Sequence, residues 1–185
     1  MTPDSYVLPR PERERRAAAY EWLLTAAPDR QTAISEWRSP GVALLTAGVE
    51  WDAVRVPYDV LHPGFDRATT LQELVQRLGE LKVGGSAFCD PYRPFMYLLV
   101  PPRTDKDWPR DLASARVECL GGTQPYVHHV GVPRLESVAP PGPFWLTPPD
   151  VIPQRHADPE HLYTVLHALL HAAPQQQADT PQVIA

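Results

Sequence analysis

VALLTAGVEWDAVRVPYDVLHPGFDRATTLQELVQRLGELKVGGSAFCDPYRPFMYLLVPP, Val42 to Pro102, is the stretch that decides the fold. Val42 to Gly48 is a continuous apolar run, and a turn over Gly48–Trp51 separates it from Asp52–Val60. In the latter, Val54 and Val56 alternate with Arg55, as in a strand with one buried face. Pro57 has no amide hydrogen, so the end of that strand is expected at an edge or a bulge. Thr70, with Glu73 three residues on, is a capping box, and Leu71, Leu74, Val75, Leu78 and Leu81 make one stripe along the helix it opens. Gly84-Gly85 stops that helix. Ser86–Asp90 and Phe95–Pro102 then read as strands joined by the turn Pro91–Pro94. The second is apolar on both faces, as a central strand is.

Upstream, a helix is expected from Pro11 to about Ala27, with Tyr20, Leu23, Leu24 and Ala27 at helical spacing. Asp29 can cap a shorter one carrying Ala33, Ile34 and Trp37. Downstream, residues 116–122, 126–134 and 143–150 read as extended, and Asp158-Pro159-Glu160 opens a last helix bearing Leu162, Val165, Leu166, Leu169 and Leu170. The expected fold is α+β: one central sheet of five to seven strands, flanked by N-terminal helices, a helix after the second strand and a C-terminal helix. Residues 11–173 form the single domain of this reading. Residues 1–10 and the polar tail 174–185 are expected to be disordered.

Composition narrows the class. Hydrophobic content of 43% and charged content of 21% are those of a globular domain. The 23 prolines, several in pairs such as Pro101-Pro102 and Pro148-Pro149, form rigid loops between elements. A net charge of −5 gives no global field attracting nucleic acid. Arg10, Arg13, Arg15 and Arg16 alternate with Glu12 and Glu14, which reads as a solvated helix start, with an anion patch the other reading. Cys89 and Cys119 read as reduced thiols. No apolar run reaches the roughly 20 residues of a membrane helix, and no leader is evident at the start, so a cytoplasmic protein is expected.

Chemistry-bearing residues are scattered. His167 and His171 are four apart on the last helix, a spacing that suits two metal ligands. The leucine stripe turns them toward solvent in this reading, and no third ligand stands nearby. His128 and His129 leave opposite faces of their strand, with His128 on the expected core side and His129 toward a cleft. Asp52, Asp90 and Glu118 could converge at strand ends on Mg²⁺, but no Asp-x-Asp pair is present. Gly84-Gly85-Ser86 and Gly121-Gly122-Thr123 read as turns. Tyr92, Phe95, Tyr97, Trp108, Tyr126 and Trp145 read as core and loop anchors, a stacking surface for bases being the alternative.

The run of motifs WDAVRVPYDV (51–60), LGELKVGGSAFCDP (78–91), FMYLLVPPRTDKDW (95–108), VECLGG (117–122), YVHHVGVPR (126–134) and FWLTPPD (144–150) resembles small actinobacterial proteins related to the bifunctional DNA primase/polymerase N-terminal (prim–pol) domain. Active members are similar in having an acidic pair on a strand, a central histidine motif and a third acidic residue. Here the matching strand reads Asp52-Ala53-Val54-Arg55, Phe95–Val100 has no histidine, and the third position is at best Glu118. The resemblance therefore implies a degenerate, non-catalytic binding or regulatory module, with nucleotide, nucleic acid or a protein as partner. No cofactor or metal is expected. Its expected ligand-binding cleft is Asp52, Arg55, Arg93, Arg103 and His129, whose arginines suit phosphate or carboxylate. The alternatives are a Mg²⁺-dependent nucleotidyl-transfer enzyme using Asp52 and Glu118, and a scaffolding protein.

Overall fold

The computed structural model describes residues 11–123 and 125–172; the ends expected to be disordered, 1–10 and 174–185, lie outside the described residues. The chain is α+β. Two helices come first, α1 (Glu12–Thr25) and α2 (Arg30–Arg38), with Asp29 capping α2 by accepting from the Thr32 N–H. Strands β1 (Val42–Thr46) and β2 (Asp52–Pro57) follow, then a short α3 (Tyr58–Leu61) and α4 (Leu71–Leu81). After β3 (Ala87–Asp90) and β4 (Phe95–Val100) come α5 (Thr104–Asp107), a 3-10 segment (Arg110–Ala115) and β5 (Glu118–Leu120). Strands β6 (His129–Pro133) and β7 (Phe144–Thr147) and the closing α6 (Pro159–Ala172) complete the order.

The seven strands do not share one sheet. Five form an antiparallel sheet in the order β5-β2-β4-β3-β7, and β1 pairs with β6 in a separate ribbon. Because every neighbouring pair is antiparallel, β2 and β3 run the same way with β4 between them, and β4 and β5 run the same way with β2 between them. The α3–α4 and α5–3-10 connections therefore make two interleaved β-α-β crossings, a β-α-β-β-α-β core.

Side chains leave this sheet on alternating faces. Val54, Val56, Met96, Leu98, Val100, Ala87 and Cys89 face a core closed by α3, α4 and α6. Ala53, Leu99, Phe88 and Trp145 face a second core built with α1, α2 and the ribbon. Trp145 ties ribbon to sheet, its indole N–H donating to the Pro133 carbonyl at 3.0 Å.

The capping box forms in full: Thr70 Oγ1 accepts from the Glu73 N–H, and the Glu73 carboxylate accepts from the Thr70 N–H at 2.7 Å. Thr70→Ala is expected to cost about 1 kcal/mol, read as a lower urea midpoint at unchanged slope; an unmoved midpoint would show the box to be dispensable. One stripe position departs from expectation. Leu74 and Leu78 are buried, but Val75 is 50% exposed because it lies at the margin of the buried face. Gly85, at φ +86°, sits where a Cβ would overlap the His156–Ala157 backbone, which holds the loop before α6 against β3. Both cysteines are free thiols, Cys89 buried and Cys119 partly so. Among the described residues no helix is long and apolar enough to cross a membrane.

Candidate functional site

The two central strands, β2 and β4, position the site. Their register sets Arg55 opposite Tyr97 and Pro57 opposite Phe95, so Arg55, Phe95 and Tyr97 share the face that carries α1, α2 and the ribbon. Those elements bury only part of it. Ala53, Leu99 and Phe88 are fully buried, whereas Arg55, Phe95 and Tyr97, toward the Pro91–Pro94 turn, are only half-buried.

This open end of the sheet is aromatic and guanidinium-rich. Tyr97 stacks on Phe88, with centroids 4.8 Å apart and planes 7° apart, and Trp145 meets Phe88 edge-on at 5.2 Å. The Arg55 guanidinium carbon lies 4.8 Å from the Phe95 centroid and that of Arg116 lies 5.8 Å away. Such contacts hold flat cations against a ring. Arg55 also pairs with Glu118 at 2.6 Å, across from it on β5, and Arg116 pairs with Asp59 at 3.3 Å. The Arg55 Nε is buried without an acceptor among the described residues. Asp90 shapes the adjoining turn by accepting from the Tyr92 and Arg93 N–H groups. Burial raises the pKa of the Tyr97 hydroxyl; Asp90 adds to the rise, and the nearby charges of Arg55 and Arg93 oppose it.

Asp52 belongs to the other face and the other end of β2. It is fully buried, and its Oδ2 accepts from the Asp105 N–H at 2.9 Å. The Asp105 carboxylate in turn accepts from the Thr123 N–H at 2.9 Å and the Thr123 hydroxyl at 2.7 Å. Gly121 makes room for this group, since a Cβ there would overlap the Asp105 carboxylate. Burial pushes the Asp52 carboxyl up to about 6; the Asp105 charge adds to the rise, and the N–H groups of Asp105 and Arg103 oppose it. Burial likewise raises the Cys119 thiol, with Asp52 and Asp105 adding to it. Asp52 thus fastens α5 to the sheet through the Asp105 N–H.

The five residues expected in one cleft therefore fall into three places. Arg55 and Arg93 come together around Tyr97. Asp52 and Arg103 lie at the opposite end of β2, roughly 17 Å along the strand from the Phe95 end, and Arg103 is exposed with φ +73°. His129 is exposed on the ribbon, opposite Thr46. The strand carrying it begins at His129, so the alternation expected to bury His128 stops short. His128 is exposed, its Nδ1 3.1 Å from the Gly121 carbonyl.

The three carboxylates considered for Mg²⁺ are also apart. Glu118 stands opposite Arg55 on one face, Asp52 lies on the other, and Asp90 is at the far turn. Among the described residues no group of three His, Cys, Asp or Glu side chains is placed to hold a metal ion. His167 and His171 stack on each other at 3.9 Å, and His167 is half-buried against Tyr163 rather than turned wholly to solvent.

The residues underweighted by sequence reasoning are Phe95 and Tyr97. Their signal was present: they share parity with Leu99 in FMYLLV, and two aromatics two apart on a central strand leave one face. Asp105 had no such signal, because its contact with Asp52 spans 53 residues. In comparison with known proteins, no protein-family profile, curated protein or solved structure matches this chain.

Proposed function

We propose that this chain is a non-catalytic binding module, of prim–pol-like descent, that takes a nucleotide or a short single-stranded nucleic acid on the open end of its sheet. One observation carries the reading: Phe95 and Tyr97 on central strand β4 and Arg55 on central strand β2 share the half-buried end of one sheet face. Sheets that bind single strands present aromatic rings on such strands for bases to stack on, and guanidinium planes stack in the same way.

The charges around the platform set its character. Arg55, Arg93 and Arg116 face Asp59, Asp90 and Glu118, and two of the arginines are already ion-paired. Among the described residues Arg93 forms no ion pair. Stacking therefore outweighs phosphate attraction. If Arg93 alone meets phosphate, the logarithm of affinity falls with the logarithm of salt at a slope of about −0.7.

Fluorescence anisotropy with a labelled oligothymidylate of about eight nucleotides, alongside calorimetry with ATP and GTP, tests this. Tyr97→Ala is expected to weaken binding about tenfold, within the ~1–3 kcal/mol that one stacked base contributes. No signal with any of these probes at high protein concentration would remove the nucleotide and nucleic-acid reading. A metal-dependent transfer using Asp52 and Glu118 has little geometric support, since the two carboxylates leave opposite faces of the sheet. Turnover of a nucleoside triphosphate with Mg²⁺ or Mn²⁺ would overturn the non-catalytic reading.

A further inference from the structure

Away from the platform, a cavity of about 510 Å³ opens between α5 and the first turns of α6. Its size is that of a small-ligand site. Two of its walls are aromatic: Trp108 and Tyr163 meet at 89° with centroids 6.1 Å apart, forming a corner. The Tyr163 hydroxyl is occupied, donating to Asp111 at 2.8 Å, so the ring offers its π-face while a carboxylate sits at its edge.

Two further carboxylates, Asp107 and Glu160, line the cavity, and both are exposed. Among the described residues neither forms an ion pair. One cation, Arg103, shares the lining, so its charge is two negative against one positive. The α6 N-terminus does not reverse that balance, because Asp158 already accepts from the Glu160 N–H at 2.9 Å.

An aromatic corner beside unpaired carboxylates is the chemistry that holds organic cations: ring quadrupoles attract the charge and the acids take its hydrogen bonds. We infer that this cavity binds an alkylammonium or guanidinium group, seated against Trp108 and Tyr163 and neutralised by Asp107 and Glu160. This site is separate from the sheet platform and stands or falls independently of it. The same cationic group could belong to a small polyamine or to an arginine side chain of a protein segment.

The full chain is titrated by calorimetry with tetramethylammonium, spermidine and an arginine capped at both ends, each at constant ionic strength. Saturable binding of at least one probe is expected. Glu160→Gln, at an exposed position where folding is safe, should weaken it about fivefold, and Trp108→Ala at least as much. Arg103→Ala should tighten it, because the substitution removes the competing charge. Spermidine binding at least tenfold tighter than capped arginine assigns the site to a free polyamine, and the reverse order assigns it to a protein segment. No saturation with any probe would overturn the inference. So would binding indifferent to Glu160→Gln, or weakened by Arg103→Ala, which would mark an anion site.

Discussion

Phe88→Ala is expected to remove about 3–5 kcal/mol of stability, the range for a fully buried aromatic truncated in a core that cannot collapse. Phe88 is fully buried, and its ring stacks flat beneath Tyr97 and takes Trp145 against its edge. Trp145 in turn donates to Pro133 on the ribbon. Truncation therefore opens a void at the junction of sheet and ribbon, and the strands on either side are held by their own ladders and cannot close it. Urea denaturation should show a lower midpoint at unchanged slope. Phe88→Leu keeps much of the volume and should lose less than about half as much. A Phe88→Ala loss below about 1 kcal/mol would mean that the platform and the second core do not share this support. The same truncation should also weaken any ligand that stacks on Tyr97, because that ring loses its backing.

The second large effect is dependent on pH. Asp52 carries a carboxyl raised to about 6, against an unfolded value near 3.9. Between about pH 4 and pH 6 the native state still holds a proton that the unfolded chain has released, so stability falls as pH rises through that window. Two pKa units correspond to roughly 2–3 kcal/mol, fully lost above the native value. Asparagine at this position keeps an acceptor for the Asp105 N–H and carries no charge beside the Asp105 carboxylate. Asp52→Asn should therefore match the parent near pH 4 and exceed it by roughly 2–3 kcal/mol at pH 7. Taking the difference between the two proteins cancels the carboxylates that pull the other way, such as Glu21, Glu73 and Glu80, each lowered chiefly by a hydrogen bond. An equal difference at both pH values would show that Asp52 is not a buried, raised acid.

Legibility in the sequence followed the range of the interactions. The Thr70–Glu73 box and the Asp29 cap act within three residues, and both were readable and both form. All seven strands could be placed from alternation and apolar runs. The short α3, α5 and the 3-10 segment were not, because four to six residues have too few turns for a periodicity. His128 shows how sensitive facing is to a boundary: a strand starting at His129 leaves its neighbour outside the alternation. At the site, Arg55 and Arg93 both lie within electrostatic reach of Tyr97. Asp52 and Arg103 were grouped with them only because facing and distance along the sheet depend on pairing register.

What the amino-acid order determined alone was the elements and the parity of side chains on each strand. Helix caps, apolar period and the two-residue repeat of a strand are written locally and cost little chain entropy to form. Tertiary structure decided that seven strands divide into five and two, that α1, α2 and the ribbon bury only part of one sheet face, and that Asp52 meets Asp105 rather than Glu118. Each of these depends on pairing between segments tens of residues apart. Their energies come from the register and packing of whole surfaces, which no window along the chain contains.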